Sequence, residues 1–295
     1  MTEILKLSAY WVNAFTTQPF CGNPAVVIPT AAGLSDDQKQ LIAREVNCSE
    51  TAFVEPAQSQ DADFRLRWFT PTQEVSLCGH ATLATIQVLC ELGWFNLKKG
   101  TNQVLYLETL SGILSAFVDF TQSDRAWIWL SLPSCDFQTL EPTILAQVAA
   151  GLRLDPRQLK RGVIESLNQD VLVQVESLAM LQSLDPDFKE LHQLGDRHQW
   201  RGFCCYTPQT LDPAHAAHLR FFAPQSGILE DPVTGSVSGP LGLHLRACHQ
   251  VMEDHLILEQ GDSLGRSGRI HLDLSNQKPR LGGQAVTILR GEFEL

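Results

Sequence analysis

An acidic residue at a junction between two predicted elements is the first candidate for chemistry. Glu50 follows a segment with helical spacing and directly precedes the short apolar run at residues 51–54. A side chain at such a junction can project into a cleft, where a carboxylate can accept or donate a proton. The position is more typical of an exposed acid in a connecting loop. Nothing in the local sequence overturns the interpretation as an exposed acid.

The second candidate is a Cys-Gly-His sequence at the start of an apolar segment. Gly79 allows the backbone to approach a ligand closely, and the amides that follow it offer unpaired N–H groups to an anion. His80 could donate to a carboxylate or hold a proton in transit, and it could equally be a satisfied helix cap. Cys78 could be a thiolate, because a helix N-terminus lowers the pKa of a thiol. The competing interpretation of Cys78 is a small buried apolar residue.

A third segment repeats this layout in the second half of the chain. Asp231 precedes a proline, which biases its backbone towards an extended conformation. Thr234 follows, and Gly235 and Ser236 offer backbone amides at the start of another predicted helix. A plain turn with a capping serine explains the same residues.

Two apolar helices are predicted directly after the second and third segments. Residues 81–92 are apolar in nearly every direction around the helix axis and are followed by Gly93, a typical helix end. Residues 238–248 form the other helix and carry little charge. A helix that is apolar all round is usually buried on all sides, so each of these helices is expected to lie at the centre of its surroundings.

Predicted strands are spread along the whole chain and surround these helices. They show alternating apolar and polar residues, or a short apolar run that ends at turn residues. Ser35 and Gln38 form a capping box that begins a further helix, which continues to about Val46. The main predicted strands lie at residues 25–28, 51–54, 64–69, 104–108, 114–120, 127–132, 270–274 and 285–289.

The repeated order of acidic residue, turn, glycine and buried helix predicts two structurally related halves. Each half is expected to be a curled mixed β-sheet or barrel around one central helix, which makes the fold class α+β. The first domain is predicted at residues 1–113 plus 283–295 and the second at residues 114–282. The break falls near the turn at Ser111 and Gly112, and the active site is expected in the cleft between the domains. The last strand is expected to return to the first domain.

The composition excludes several classes of protein. The chain has 295 residues, 44% hydrophobic and 19% charged, which is typical of a globular protein and not of a disordered one. Its 22 basic and 33 acidic residues give a net charge of −11, which argues against nucleic acid or an anionic membrane as a partner. A small anionic substrate is still compatible with that charge.

The cysteines and histidines limit the chemistry and the compartment. Eight irregularly spaced cysteines, with no C-x-x-C pair and no visible secretory signal, predict a cytoplasmic location with reduced thiols. The spacings of histidine and cysteine along the chain predict no metal site. No apolar run is long enough to predict a membrane span.

Together these segments resemble the phenazine-biosynthesis PhzF-like family. The matching blocks occur in the family's order and cover most of the chain outside residues 135–215. They lie at residues 13–16, 20–25, 42–45, 49–53, 67–71, 74–82, 230–236, 260–261 and 265–268. The resemblance implies a two-domain fold like that of diaminopimelate epimerase, and a homodimer. It therefore agrees with the two buried helices predicted above.

The resemblance also implies roles for individual residues. Glu50 would be the general base and then the general acid of a cofactor-free isomerase. That enzyme would move a proton between carbons of a small amino- or hydroxy-carboxylate similar to trans-2,3-dihydro-3-hydroxyanthranilate. Asp231 and His80 would bind amino and hydroxyl groups or relay protons, and Ser236 would hold the substrate carboxylate. The other expected substrate contacts are Asn23, Cys78, Gly79, Thr234 and Gly235.

Two other functions stay open at the level of sequence. One is an amino-acid racemase or epimerase that uses Cys78 with another base. Related epimerases have two opposed cysteines, and Thr234 occupies the second of those positions here. The other is a protein that retains the fold and binds other proteins without catalysis. Asn13 also departs from the family, which usually has an aspartate in its first block.

Overall fold

The computed structural model of this protein describes residues 6–121, 125–248, 250–275 and 279–295. The chain forms two compact units. The first unit is Met1–Ser131 with Gly282–Leu295, and the second unit is Leu132–Leu281. Within the described residues, no helix is both long and apolar enough to cross a membrane.

Strands outnumber helices in both units. The elements up to residue 131 are β1 (Lys6–Ala14), β2 (Asn23–Ile28), α1 (Asp36–Val46), β3 (Glu50–Glu55), β4 (Phe64–Phe69), β5 (Glu74–Val75), α2 (Gly79–Leu92), β6 (Asn102–Thr109), β7 (Gly112–Asp119) and β8 (Trp127–Ser131). The elements that follow are β9 (Phe137–Thr139), α3 (Pro142–Gly151), β10 (Leu159–Glu165), β11 (Asp170–Val175), α4 (Leu178–Gln182), α5 (Phe188–His198), β12 (Gly202–Thr207), β13 (Ala217–Ala223), β14 (Ile228–Asp231), α6 (Gly235–Ala247), β15 (His255–Gln260), β16 (Gly268–Asp273), β17 (Arg280–Gly283) and β18 (Ala285–Glu294).

The first unit is a mixed sheet curled around α2. β1 pairs antiparallel with both β2 and β18, β2 pairs parallel with β3, and β3 pairs antiparallel with β4. β4 continues to β6 in parallel, and β6, β7 and β8 form an antiparallel meander. Gly282 lies against Trp129 of β8 and leads into β18, which pairs with β1. The segment that contains β17 and β18 therefore lies beside both β8 and β1, the two end strands of this sheet.

Helix α2 is the buried centre of this unit. It packs against β1, β2, β3, β8 and β18, and every residue from His80 to Cys90 is buried. It ends at Gly93, whose φ of 67° is the left-handed conformation that glycine adopts without steric cost. The predicted buried helix is confirmed. It begins two residues earlier than predicted, so Gly79 and His80 belong to its first turn.

The second unit has a mixed sheet of its own. β9, β10 and β11 pair antiparallel in succession, β11 pairs parallel with β12, and β12 pairs antiparallel with β13. β13 pairs antiparallel with β14 and parallel with β15, which pairs antiparallel with β16. Helices α3, α4 and α5 belong to an apolar cluster that contains Val171, Phe203 and Phe222.

Helix α6 is the most buried of the four helices of the second unit. Most of its residues are buried and it packs against β16. A Cβ at Gly242 would collide with the side chain of Leu272, so glycine there permits close packing of helix on strand. The helix begins at Gly235, three residues before the predicted start, and includes Pro240. The predicted α+β class is confirmed.

The boundary between the units differs from the predicted one. The predicted break at Ser111 and Gly112 is the tight turn of the β6–β7 hairpin, where Thr109 pairs with Gly112. Hydrogen bonds to β6 and then to β7 keep β7 and β8 in the first unit, so the unit ends at Ser131. At the other end the first unit resumes at Gly282, and the last strand belongs to it.

Candidate active site

The first unit brings a carboxylate and an imidazole together at the start of α2. Glu50 is the first residue of β3, and His80 is the second residue of α2. Glu50 Oε2 lies 3.1 Å from His80 Nε2, and the two side chains are 14% and 8% exposed. Neither atom has a hydrogen-bond partner among the described residues, so the contact is an ion pair without linear hydrogen-bond geometry. The carboxylate and the imidazole therefore face each other in a nearly buried setting.

The other nitrogen of His80 faces two further predicted residues. Its Nδ1 lies 3.5 Å from Cys78 Sγ and 3.4 Å from Asn23 Nδ2. Asn23 is the buried first residue of β2, the parallel neighbour of β3. Pairing of β2 with β3 therefore places Asn23 and Glu50 at the same edge of the sheet, and the first turn of α2 places His80 between them. Four of the residues predicted for the site, Asn23, Glu50, Cys78 and His80, therefore lie next to one another.

The charges around His80 determine its protonation. Burial of the imidazole lowers the pKa of His80, but the Cys78 sulfur and the Glu50 carboxylate together raise that pKa well above its ordinary value. The Glu50 carboxylate therefore favours the imidazolium form of His80. Burial, and then the charge of Glu50, raise the pKa of Cys78, so its thiol stays protonated at neutral pH.

The start of α2 also offers positive partial charge from its backbone. Cys78 is the N-cap residue, in extended conformation, and its side chain makes no capping hydrogen bond to the helix. The first amides, at Gly79 and His80, therefore keep the anion-binding character of a helix N-terminus. A Cβ at Gly79 would meet only Leu130, at 3.9 Å, so the glycine is not required by packing within the protein.

The predicted residues of the second unit form a separate hydrogen-bonded group before α6. Thr234 Oγ1 donates to Asp231 Oδ2 at 2.6 Å. Gln260 accepts from the Thr234 amide at 2.8 Å and donates to the Asp231 carbonyl at 2.8 Å and to Thr234 Oγ1 at 3.0 Å. This amide side chain holds the turn between β14 and α6 in place. Thr234 therefore orients one oxygen of the Asp231 carboxylate.

Ser236 lies beside an arginine that sequence reasoning did not identify. Arg201 Nη2 donates to Ser236 Oγ at 3.0 Å, and its Nε donates to Asp170 Oδ1 at 2.9 Å. Arg201 Nη2 also pairs with the second oxygen of Asp170, which is fully buried. Phe221 packs under the guanidinium, with 5.4 Å from its ring centroid to Cζ. Because Ser236 Oγ accepts from Arg201, its own hydroxyl hydrogen is directed elsewhere and can be donated to an anion.

Three residues were therefore missed as site residues: Asp170, Arg201 and Gln260. Asp170 and Arg201 lie in the part of the chain that matches no family block, and Gln260 lies in a matching block but received no role. The one available signal was Asp170 itself, an acid placed directly before the apolar run at residues 171–173. A charge at the start of a buried strand needs a partner.

Comparison with known proteins decides the family. The family described as "Phenazine biosynthesis-like protein", PhzC-PhzF, matches residues 12–291. The chain belongs to this PhzF family. The predicted resemblance is confirmed.

PhzF relatives match along their whole length. The chain is 32% identical to a protein of Clostridium acetobutylicum and 33% identical to YddE of Escherichia coli, both named uncharacterized isomerases, with 99% of each chain covered. A PhzF-family crystal structure from Bacillus anthracis superposes with a TM-score of 0.86 at 28% identity, covering 98% of this chain and 99% of that one. The protein is therefore a PhzF-family isomerase.

The fold extends to more distant enzymes. A hydroxyproline epimerase from Agrobacterium vitis superposes with a TM-score of 0.66 at 12% identity, covering 98% of this chain and 93% of that one. Identity this low shows a common fold only. The α+β architecture is therefore common to PhzF proteins and to a wider set of epimerase structures.

Proposed function

We propose that this protein is a cofactor-independent isomerase in which Glu50 moves a proton between two carbons of a small amino- or hydroxy-carboxylate. The observation that carries the proposal is the Glu50–His80 contact of 3.1 Å in a nearly buried setting. A compound similar to trans-2,3-dihydro-3-hydroxyanthranilate is the reference substrate, following the family resemblance.

The proposed reaction needs one carboxylate that acts twice. Glu50 accepts a proton as a C–H bond of the substrate breaks, and the electron pair delocalises into the conjugated system of the substrate. The same carboxyl group then returns the proton to a second carbon, so no net proton is consumed. The imidazole of His80, 3.1 Å from Glu50, orients the carboxylate before the first step. The amides of Gly79 and His80 stabilise negative charge that develops on the substrate.

The residues of the second unit are proposed to take part through binding and proton relay. The hydroxyl of Ser236 can donate to the substrate carboxylate, because Arg201 supplies the hydrogen bond that Ser236 Oγ accepts. The positive charge of Arg201 also favours an anion near Ser236. Asp231, oriented by Thr234, is proposed to bind an amino or hydroxyl group. These roles follow the family resemblance.

Deuterium exchange tests the proposed reaction directly. The wild-type protein is incubated in heavy water with the dihydro-hydroxyanthranilate and with a panel of cyclic and acyclic amino- and hydroxy-carboxylates, and followed by proton NMR. We expect deuterium to enter one carbon position of at least one compound, at a rate that depends on Glu50. Turnover of a compound without a proton shift, or exchange that persists in Glu50→Gln, would contradict the proposal.

The cysteine at the site gives a matched test of the thiol alternative. A racemase mechanism makes Cys78 a base, but burial raises the pKa of this thiol, so little thiolate exists at neutral pH. We expect Cys78→Ala to retain kcat to within about threefold, because the loss of one non-reacting contact is worth under ~1 kcal/mol in the barrier. The check is steady-state kinetics at several pH values. Complete loss of turnover in a folded Cys78→Ala protein would favour the thiol mechanism instead.

We also propose that the protein is a homodimer, and the β6–β7 hairpin provides a candidate contact surface. Val104 and Tyr106 alternate with buried Leu105 and Leu107, and they are 43% and 48% exposed. On β7, Ile113 is 44% exposed. Adjacent exposed apolar side chains on one sheet face are typical of a surface that binds a second protein chain.

A double substitution on this face tests the dimer. In a two-fold interface every substitution occurs twice, so Val104→Glu with Tyr106→Glu places four carboxylates at the contact. We expect the dissociation constant to rise at least tenfold, which is about 1.4 kcal/mol. Sedimentation equilibrium over a concentration series measures it. Leu211→Glu, at a side chain 49% exposed in the second unit, is the control. A monomeric wild type, or equal effects of both variants, would contradict this interface.

A further inference from the structure

Three side chains of three different ligand types meet beside the start of α2. Glu50, Cys78 and His80 each offer one ligand atom, and these atoms all lie within 4.8 Å of one another. We propose that they bind a divalent transition-metal ion of the Zn²⁺ class, and that the bound ion inhibits the isomerase. The binding site stands on geometry alone, whereas the inhibition rests on the proposed function of Glu50.

The distances suit a four-coordinate ion. Zinc–nitrogen and zinc–oxygen bonds of about 2.0–2.2 Å and zinc–sulfur bonds of about 2.3 Å set tetrahedral ligand atoms roughly 3–4 Å apart. Glu50 Oε2 and His80 Nε2 are 3.1 Å apart, and Cys78 Sγ and His80 Nδ1 are 3.5 Å apart. These two contacts use opposite nitrogens of the His80 ring, so an ion that binds one ring nitrogen keeps only one of them. The third ligand atom lies within 4.8 Å of the other two and reaches the ion by rotation of its side chain. Three protein ligands leave a fourth position for water or an anion.

The chemistry of the three ligands selects the kind of ion. A thiolate with an imidazole favours Zn²⁺ and Co²⁺ over Mg²⁺ and Ca²⁺, which prefer oxygen ligands. A thiolate and a carboxylate together balance the two positive charges of the ion. That balance matters here, because the start of α2 carries positive partial charge that would repel an uncompensated cation.

Metal binding would remove the acid–base pair from the reaction. The ion forms bonds to sulfur, nitrogen and oxygen, and the protons of the thiol and of the imidazolium pass to solvent. Glu50 then has a carboxylate oxygen bound to the metal and cannot accept a proton from carbon. The same contact that supports proton transfer, Glu50 with His80, therefore makes the site sensitive to transition metals.

Cobalt is the probe, because its absorption reports the ligands without any assay of activity. Chelator-treated, reduced wild-type protein is titrated with Co²⁺ alone. We expect one equivalent to produce a near-ultraviolet sulfur-to-cobalt charge-transfer band together with the intense visible bands of a four-coordinate ion. Cys78→Ala should lose the charge-transfer band, and Glu50→Gln should weaken Co²⁺ binding at least tenfold, about 1.4 kcal/mol.

A second buried thiol on the same helix is the matched control. Cys90 is 9% exposed, lies on α2 and is outside the three-residue group, so Cys90→Ala should keep the whole cobalt spectrum. Circular dichroism verifies that each variant is folded. A folded wild type without a charge-transfer band, or a band that persists in Cys78→Ala, would overturn the site.

Inhibition is measured separately by adding Zn²⁺ to the exchange reaction and then removing it with a chelator. Reversible loss of exchange at the stoichiometry of the cobalt site supports the inference. Cobalt bands without loss of exchange would overturn the inhibitory role, but the proposal of a metal-binding site would stand. A protein with no exchange on any compound but with full cobalt bands would count against the proposed function alone.

Discussion

Replacing Glu50 with glutamine should lower kcat of the isomerisation about 10²–10⁴-fold, the usual contribution of a general base. Glutamine has nearly the same shape as glutamate, but its amide cannot accept a proton from carbon at neutral pH. The substitution also removes the negative charge that faces the imidazolium of His80. The measurement is the rate of deuterium incorporation into the substrate in heavy water, with kcat and KM determined separately. KM should change much less than kcat, since Glu50 acts mainly in the transition state.

Two further variants keep this prediction specific. Glu50→Asp retains a carboxylate but withdraws it by one methylene, so its activity should fall between those of wild type and Glu50→Gln. Glu45→Gln makes the same chemical change at an exposed position of α1 and should leave kcat unchanged. If Glu50→Gln is folded and turns over as fast as wild type, the carboxylate is not the base. The search for a base would then move to Cys78 and Asp231.

The parts of the fold predicted from sequence are those fixed by local signals. The capping box of α1 is present, with Gln38 N donating to Ser35 Oγ at 3.2 Å and Ser35 N donating to Gln38 Oε1 at 2.9 Å. Gly93 ends α2 as predicted. The start of α6 was placed too late, because Gly235 and Ser236 have low helix propensity. Burial of the helix by the rest of the fold overrides that low propensity. This burial cannot be seen in the local sequence.

The domain boundary shows the limit of a turn signal. Ser111 and Gly112 form a turn, as expected, but a turn can join two paired strands or two domains. The choice depends on whether β7 pairs back onto β6, and it does so along its whole length, from Asn102 with Asp119 to Thr109 with Gly112. Such pairing is a long-range property that the composition of the turn does not contain.

Only part of the candidate site was predicted, because some of its residues are brought together by long-range strand pairing. Glu50 and His80 could be named because each lies in a block that matches the family, although Glu50 by itself looked like an exposed acid. The metal-like grouping with Cys78 was not predicted, because β3 supplies one ligand from a distant part of the sequence. Asp170 and Arg201 meet because β11 pairs in parallel with β12, with Asp170 opposite Gly202. The register of these two strands is set by packing, and no sequence motif predicts it.

The Asp170–Arg201 pair carries the largest expected effect on stability. Asp170 is fully buried, and its two carboxylate oxygens accept hydrogen bonds from Nε and Nη2 of Arg201. Asp170→Ala leaves the guanidinium without its counter-ion, and breaking a buried pair costs about 3–5 kcal/mol. We expect a loss near the lower end, about 3 kcal/mol, because 32% of the Arg201 side chain is exposed and can recover hydration. Urea denaturation at neutral pH measures the free energy of unfolding.

Two comparisons separate the buried pair from a surface effect. Asp185→Ala breaks the ion pair between Asp185 and Arg153, whose side chains are 82% and 56% exposed, respectively. This substitution should change the free energy of unfolding by less than about 0.5 kcal/mol. Asp170→Leu with Arg201→Met removes both charges and should recover part of the loss, because the unpaired charge and not the missing attraction dominates the cost. If Asp170→Ala unfolds at the same urea concentration as wild type, the arginine does not depend on Asp170. Its position beside Ser236 would then have to be fixed by Phe221 and the serine.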